Sequence, residues 1–332
     1  MYYKKLANQR IECEICPKRC KIADLERGYC GNKENRGGKY YSLVYSRPCS
    51  IHTDPIEKKP LFHYLPGTLA FSIATAGCNF ECRFCQNWNI AQFRPEQLNN
   101  YYITPKSIVN TAKKEGCATI AYTYSEPVVF YEYMYDIARL AKREGIGNVM
   151  ISNGFINRKP LVDLCKYLTG VKIDLKAFTE RFYYETCSGK LKPVLDTLEL
   201  LHTINIWYEI VVLIIPTLND SEEEITKMSL WIKNRLGADV PVHFSRFYPT
   251  YKIKNLPPTP IRTLEKARKT GLDMGLNYVY IGNVPGHEGE NTYCPRCKNL
   301  IIKRIGYTVL KTDIEDGRCK YCQNPISGIW KI

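Results

Sequence analysis

The chain has 332 residues, 45% of them hydrophobic and 24% charged, with a formal net charge of +14 at pH 7. That is enough apolar material for one large domain with appendages, but no stretch is long enough to span a membrane, because the most apolar run, residues 206–215, is broken by Glu209. The opening MYYKKLANQR is charged and lacks an apolar core, so no secretory leader, no membrane partner and a cytoplasmic location are expected. Fifteen cysteines, odd in number and tightly paired, argue for metal binding over a disulfide framework. The positive charge suits an acidic partner such as RNA or an acidic protein, although lysines spread without blocks also describe an ordinary solvated surface.

In chain order, the first feature is Cys13, Cys16, Cys20 and Cys30, spaced C-x2-C-x3-C-x9-C, with Gly28 and Gly31 around the last. Four thiolates close a site for zinc, the first expectation, and equally satisfy an iron–sulfur cluster. Between residues 68 and 284, β-rich runs then alternate with helical stretches. LAFSIATA, ATIAY, NVMISN, VKIDL, WYEIVVLII, VPVHFSR and YVYIG read as strands. Helices are expected over 105–115 behind Pro105, over 127–144 up to Gly145, and after the acidic start at Asp220 to Glu224. KNLPPTP, residues 254–260, is a proline-rich loop before the last helix. This alternation predicts an α/β fold of parallel strands with right-handed crossovers, a partial (β/α)6 TIM-like barrel whose chemistry gathers at the C-terminal strand ends. The expected division is a cysteine-rich extension over 1–60, the barrel over 61–285 and a ribbon-like module over 286–332.

GCNFECRFCQNW places Cys78, Cys82 and Cys85 as C-x3-C-x2-C just after the first strand. Three thiolates can each hold one iron of a cubane and leave the fourth iron open to a ligand, whereas a zinc knuckle or a buried cysteine cluster would use the same residues otherwise. Polar residues follow the later strands. Glu126 precedes Pro127, Ser152, Asn153 and Gly154 follow the third strand, and Asp174 and Lys176 alternate onto one face, as pocket residues or as an internal ion pair. His243 shares a strand face with Ser245, as a pocket group or a core histidine. Near the end, Cys294, Cys297, Cys319 and Cys322 form two C-x2-C knuckles around a 21-residue spacer, expected to bind structural zinc, with rubredoxin-like iron as the rival. Cys49, Cys117, Cys165 and Cys187 read as small core residues and not ligands, with Cys187 the one to test for an exposed reactive thiol.

The cysteine trio after the first barrel strand, with Phe84 inside it, resembles the signature loop of the radical S-adenosylmethionine (SAM) superfamily. The resemblance implies that the open iron chelates the amino and carboxylate groups of SAM and that one electron, from a ferredoxin or flavodoxin, releases a 5'-deoxyadenosyl radical. It also implies contacts to the cofactor from Glu126 (ammonium), Ser152, Asn153 and Gly154 (ribose), Asp174 and Lys176 (ribose and carboxylate) and His243. The wider succession ECEICPKRC, DPIEKKPLFHYLPG, GCNFECRFCQNW, YTYSEP, ISNGF, IDLKAF and VYIGN is similar to AmmeMemoRadiSam-system radical SAM enzymes, relatives of pyruvate formate-lyase activating enzymes. That likeness implies a 4Fe-4S cluster, SAM and zinc at one or two sites, acting on a protein or peptide in the manner of a glycyl-radical activase. Modification of RNA and a non-catalytic metal-binding adaptor are the alternatives.

Overall fold

The computed structural model describes residues 2–332. Eight strands form the central sheet: β1 (Ser50–Pro55), β2 (Leu69–Ala74), β3 (Thr119–Tyr122), β4 (Gly147–Ser152), β5 (Gly170–Asp174), β6 (Tyr208–Ile214), β7 (Val242–Arg246) and β8 (Val279–Gly282). They lie side by side in that order, β2 to β8 all parallel and β1 antiparallel along the edge of β2. All seven sequence-predicted strands are present. Parallel strands are covered on both faces, so they appear as nearly continuous apolar runs that a sequence displays openly.

The crossovers carry helices α1 (Pro105–Lys114), α2 (Tyr131–Arg143), α3 (Arg158–Cys165), α4 (Glu180–Cys187), α5 (Leu191–Thr203), α6 (Glu222–Leu236) and α7 (Ile261–Asp273). Six crossovers link seven parallel strands, which is the partial (β/α)6 barrel with one further strand. Local chemistry sets the helix starts. Thr104 accepts from the Ser107 N–H ahead of Pro105, and Ser221 accepts from the Glu224 N–H before an acidic first turn. The helix expected over 127–144 begins instead with a 3-10 turn, Pro127–Phe130, because the side chain of Glu126 takes the Val128 N–H.

Two findings go beyond the sequence. β1 lies within the segment assigned to the N-terminal extension, yet its full length pairs with β2 from Ser50↔Ala74 to Pro55↔Leu69. Its polar sequence, SIHTDP, suits an edge strand and carries no apolar alternation. Second, the segment after β1 turns under the barrel, where Tyr64 is buried against the first residues of β4 and β5. A Cβ at Gly147 would collide with the Tyr64 hydroxyl, and one at Gly170 would press on the ring at 3.1 Å, so glycine lets both strands approach Tyr64 closely.

The flanking modules are small antiparallel units: Tyr3–Lys5, Ile11–Cys13 and Lys21–Ile22 at one end, and Thr292–Tyr293, Leu300–Ile305 and Thr308–Thr312 at the other. Arg304 ties the C-terminal module to the barrel. Its guanidinium, fully buried, donates to the Phe62 carbonyl at 2.7 Å, to Thr292 Oγ1 at 2.8 Å and to the Glu290 carbonyl at 3.3 Å, and lies 4.0 Å from the buried carboxylate of Glu57. No helix among the described residues is long and apolar enough to cross a membrane.

Removing that cation strands Glu57 and three acceptors in the interior. Arg304→Ala should lower unfolding free energy by about 3 kcal/mol or more in urea denaturation, and Arg304→Lys should recover little, because an ammonium cannot reproduce the planar fork. A loss under about 1 kcal/mol would contradict this tie.

Candidate metal and cofactor site

The loop after β2 is pinned from both sides. The N–H groups of Glu81 and Arg83 donate to the carbonyls of Cys187 and Thr186 at the end of α4, at 3.0 and 2.9 Å. Phe80 and Phe84 are buried and anchor it, Phe80 against Phe155 and Tyr183, Phe84 against Phe182. With the loop backbone held this way, Cys78, Cys82 and Cys85 all line one cavity of about 350 Å³ inside the barrel. Asn87 closes the turn by donating to the Tyr124 carbonyl at 2.9 Å.

Glu126, Asn153, Asp174 and Lys176 line the same cavity. Glu126 accepts from Ser152 Oγ at 2.7 Å and from the N–H groups of Asn153 and Val128 at 2.8 and 3.1 Å. Burial outweighs these donors and pushes its carboxyl up to about 7. Asp174 shows the opposite balance. Burial raises it, but Lys172 and Lys176, both bonded to it, bring it down to about 2. Burial lowers the Lys172 ammonium, while at Lys176 the Asp174 charge overcomes burial and raises it. Asp174 and Lys176 thus form the internal ion pair, and that pair lines the cavity.

Lys172 was not anticipated, although KIDLK carries the signal: alternation puts residues 172, 174 and 176 on one face. Other unanticipated wall residues come from the sheet's free ends. Lys58, Lys59 and Pro60 follow β1, and Asn283 and Tyr307 lie beyond β8, so the unpaired edges of the sheet border the cavity. Lys59 is buried and bonded to Asp54 at 2.6 Å.

Two expectations are corrected. Ser152 and Gly154 do not line the cavity: the Ser152 hydroxyl is spent on Glu126 and accepts the Gly154 N–H at 3.0 Å, so both support the wall from behind. His243 lies one layer deeper, its Nε2 2.8 Å from Glu209 Oε2 and its ring stacked on Tyr280, among His63 and Phe62. Cys187, read from the sequence as a small core residue, is fully buried behind the trio loop and is no exposed thiol.

Elsewhere, Cys294, Cys297, Cys319 and Cys322 converge with all four sulfurs within 4.8 Å of one another, a set that can hold a single ion. Cys13, Cys16, Cys20 and Cys30 surround a separate small cavity beside the trio loop.

The main cavity thus offers three thiols on one rigid loop, an acceptor at Glu126 and a cationic pair around Asp174. It suits a metal cluster with one unprotected corner next to a molecule bearing both an ammonium and a carboxylate. Comparison with known proteins agrees. A family model described as the radical SAM superfamily matches residues 72–229. The uncharacterized protein MJ0808 of Methanocaldococcus jannaschii is 46% identical over 98% of both chains. The pyruvate formate-lyase-activating enzyme of Clostridium pasteurianum is 27% identical over 60% of this chain and 87% of its own. Streptococcus suis SuiB bound to S-adenosylmethionine shares the fold, with a TM-score of 0.51 and 14% identity over 69% of this chain and 53% of its own.

A carboxyl whose folded-state titration lies above its ordinary 4.5 stabilises the fold at low pH and loses that contribution as pH rises toward about 7. In metal-free protein, the stability difference between wild type and Glu126→Gln should therefore shift against the wild type between about pH 5 and pH 7, by on the order of 3 kcal/mol. A pH-independent difference in urea denaturation would contradict the assignment.

Proposed function

The chain belongs to the radical SAM superfamily, and from that premise we propose that Cys78, Cys82 and Cys85 hold a 4Fe-4S cluster whose fourth iron takes SAM. The observation that carries the reading is the meeting of this trio with Glu126, Asn153, Asp174 and Lys176 on one cavity wall. When bound, the cluster supplies the electron that splits SAM into methionine and a 5'-deoxyadenosyl radical. The residues of the chain do the rest. Glu126, fixed by three donors, accepts from the ammonium of SAM, and its burial makes that pairing strong. Lys176, held by Asp174, presents a cation to the carboxylate, and Asn153 offers an amide to the ribose. Ser152 and Gly154 position Glu126 and Asn153, and His243 supports the floor.

The substrate we propose is a protein or peptide. The likeness to an activating enzyme supports it, as does the border of the cavity, where exposed Trp88 and Tyr248 adjoin Asn87 and Asn283, Trp88 stacked on Tyr251 at 5.4 Å. Aromatic side chains at an open rim give a polypeptide contact area at low entropic cost. A ferredoxin- or flavodoxin-like protein would deliver the electron. Within this scheme a cysteine-rich extension ahead of β1 and the ribbon over 286–332 flank the catalytic barrel, which includes β1 as its edge strand.

Reconstituted anaerobically with iron and sulfide, reduced and given SAM, the protein should release 5'-deoxyadenosine, and Cys82→Ala should release none. No product from a loaded, reducible cluster would overturn the proposal. At the C-terminal module we propose structural zinc. Cys294→Ser should lose about one zinc per chain and much of the module's stability while iron content holds, because a closed tetrahedral site contributes folding energy. Unchanged zinc and stability would contradict it.

A further inference from the structure

The two outlying cysteine quartets differ in a way that their spacing alone does not show. In the C-terminal quartet, Cys294 and Cys322 sulfurs are 3.6 Å apart and those of Cys297 and Cys319 are 3.7 Å apart. Four sulfurs at about 2.3 Å from one zinc lie about 3.8 Å from one another, so this set is drawn in around a single ion. Cys13, Cys16, Cys20 and Cys30 are not. Among the described residues no three of these four sulfurs come within 4.8 Å of one another; they line a small cavity instead. In a cubane each thiolate caps a different corner, which requires this wider spacing.

The surroundings match. Lys18 lines the same cavity without a carboxylate partner among the described residues, its ammonium donating to the Ser188 carbonyl at 2.6 Å, beside Arg19 and Lys33, which are paired with Glu12, Glu14 and Glu132, and the Tyr29 N–H points at Cys20 Sγ at 3.3 Å. The cavity also shares a wall with the catalytic site. Asn79, in the trio loop, lines it and accepts from Asn153 Nδ2 at 2.8 Å, while Asn153 lines the main cavity. Asn32 donates to the Ala76 carbonyl at 2.6 Å. Gly77, with φ +92°, lets the trio loop lie against the Cys30 carbonyl, where a Cβ would come within 2.8 Å.

We propose that Cys13, Cys16, Cys20 and Cys30 hold a second iron–sulfur cubane, not zinc, packed directly beside the loop of the first. With every iron capped by protein it has no open corner, so it is an electron-exchanging centre and not a second site for SAM. The inference rests on the reading of Cys78, Cys82 and Cys85 as cluster ligands only for its neighbour, and the test separates the two.

Wild type and the triple variant Cys78→Ala, Cys82→Ala, Cys85→Ala are reconstituted anaerobically with iron and sulfide, and iron, sulfide and zinc are counted. The expected result is about eight iron and one zinc per wild-type chain, and about four iron and one zinc in the triple variant, which keeps its charge-transfer band. An iron-free triple variant holding about two zinc would overturn the inference. Equal iron in both proteins, at about four with one zinc, would support the N-terminal cluster while sinking the catalytic one. Should the triple variant fail to fold, wild type decides by itself: about four iron with two zinc overturns the inference, and about eight with one supports it.

Discussion

Parallel strands joined by crossovers all run toward one rim, so the residues that follow each strand in sequence arrive together in space. The trio, Glu126, Asn153, Asp174 and Lys176 all depend on this constraint. The trio follows β2, Glu126 follows β3, Asn153 follows β4, Asp174 ends β5 and Lys176 follows it. None of these is close to the next in sequence, yet a sheet order that repeats the chain order makes them neighbours. The free edges at β1 and β8 leave the barrel incompletely closed, and the cavity uses that opening as part of its wall.

Charge burial is the second organising term. A barrel lumen filled with Lys59, Lys172, Asp174, Lys176, Glu209 and His243 would be costly if any were alone. Each has a partner: Asp54 for Lys59, Asp174 for the two other lysines, and His243 for Glu209. Glu126 differs from the rest. It is bonded only to neutral donors, and its raised titration marks it as the buried carboxylate still waiting for a cation. Under the proposed reading, the ammonium of SAM is that cation.

Much of this was legible before any coordinates. The seven strands were visible because two-sided burial makes them apolar runs, and the trio because C-x3-C-x2-C is a compact and specific spacing. Alternation correctly put Asp174 and Lys176 on one face. It could not give depth: His243 aligns in register with Val211, and Val211 with Asp174, but barrel strands tilt, so matching register is not matching height. His243 therefore faces Glu209 below the cavity. The edge strand β1 was hidden by its polar composition. The difference between the two outlying quartets lies in sulfur spacing in three dimensions, which linear spacing does not encode.

The central claim is an iron with no protein ligand, waiting for SAM at the corner of a three-cysteine cluster. It is tested most directly by electron–nuclear double resonance on the reduced protein with SAM labelled with nitrogen-15 at its amino group. A hyperfine coupling between the cluster and the labelled nitrogen, lost in Cys82→Ala, is the result this account predicts. A reducible cluster in the trio whose spectrum shows no coupling to bound, labelled SAM would contradict it.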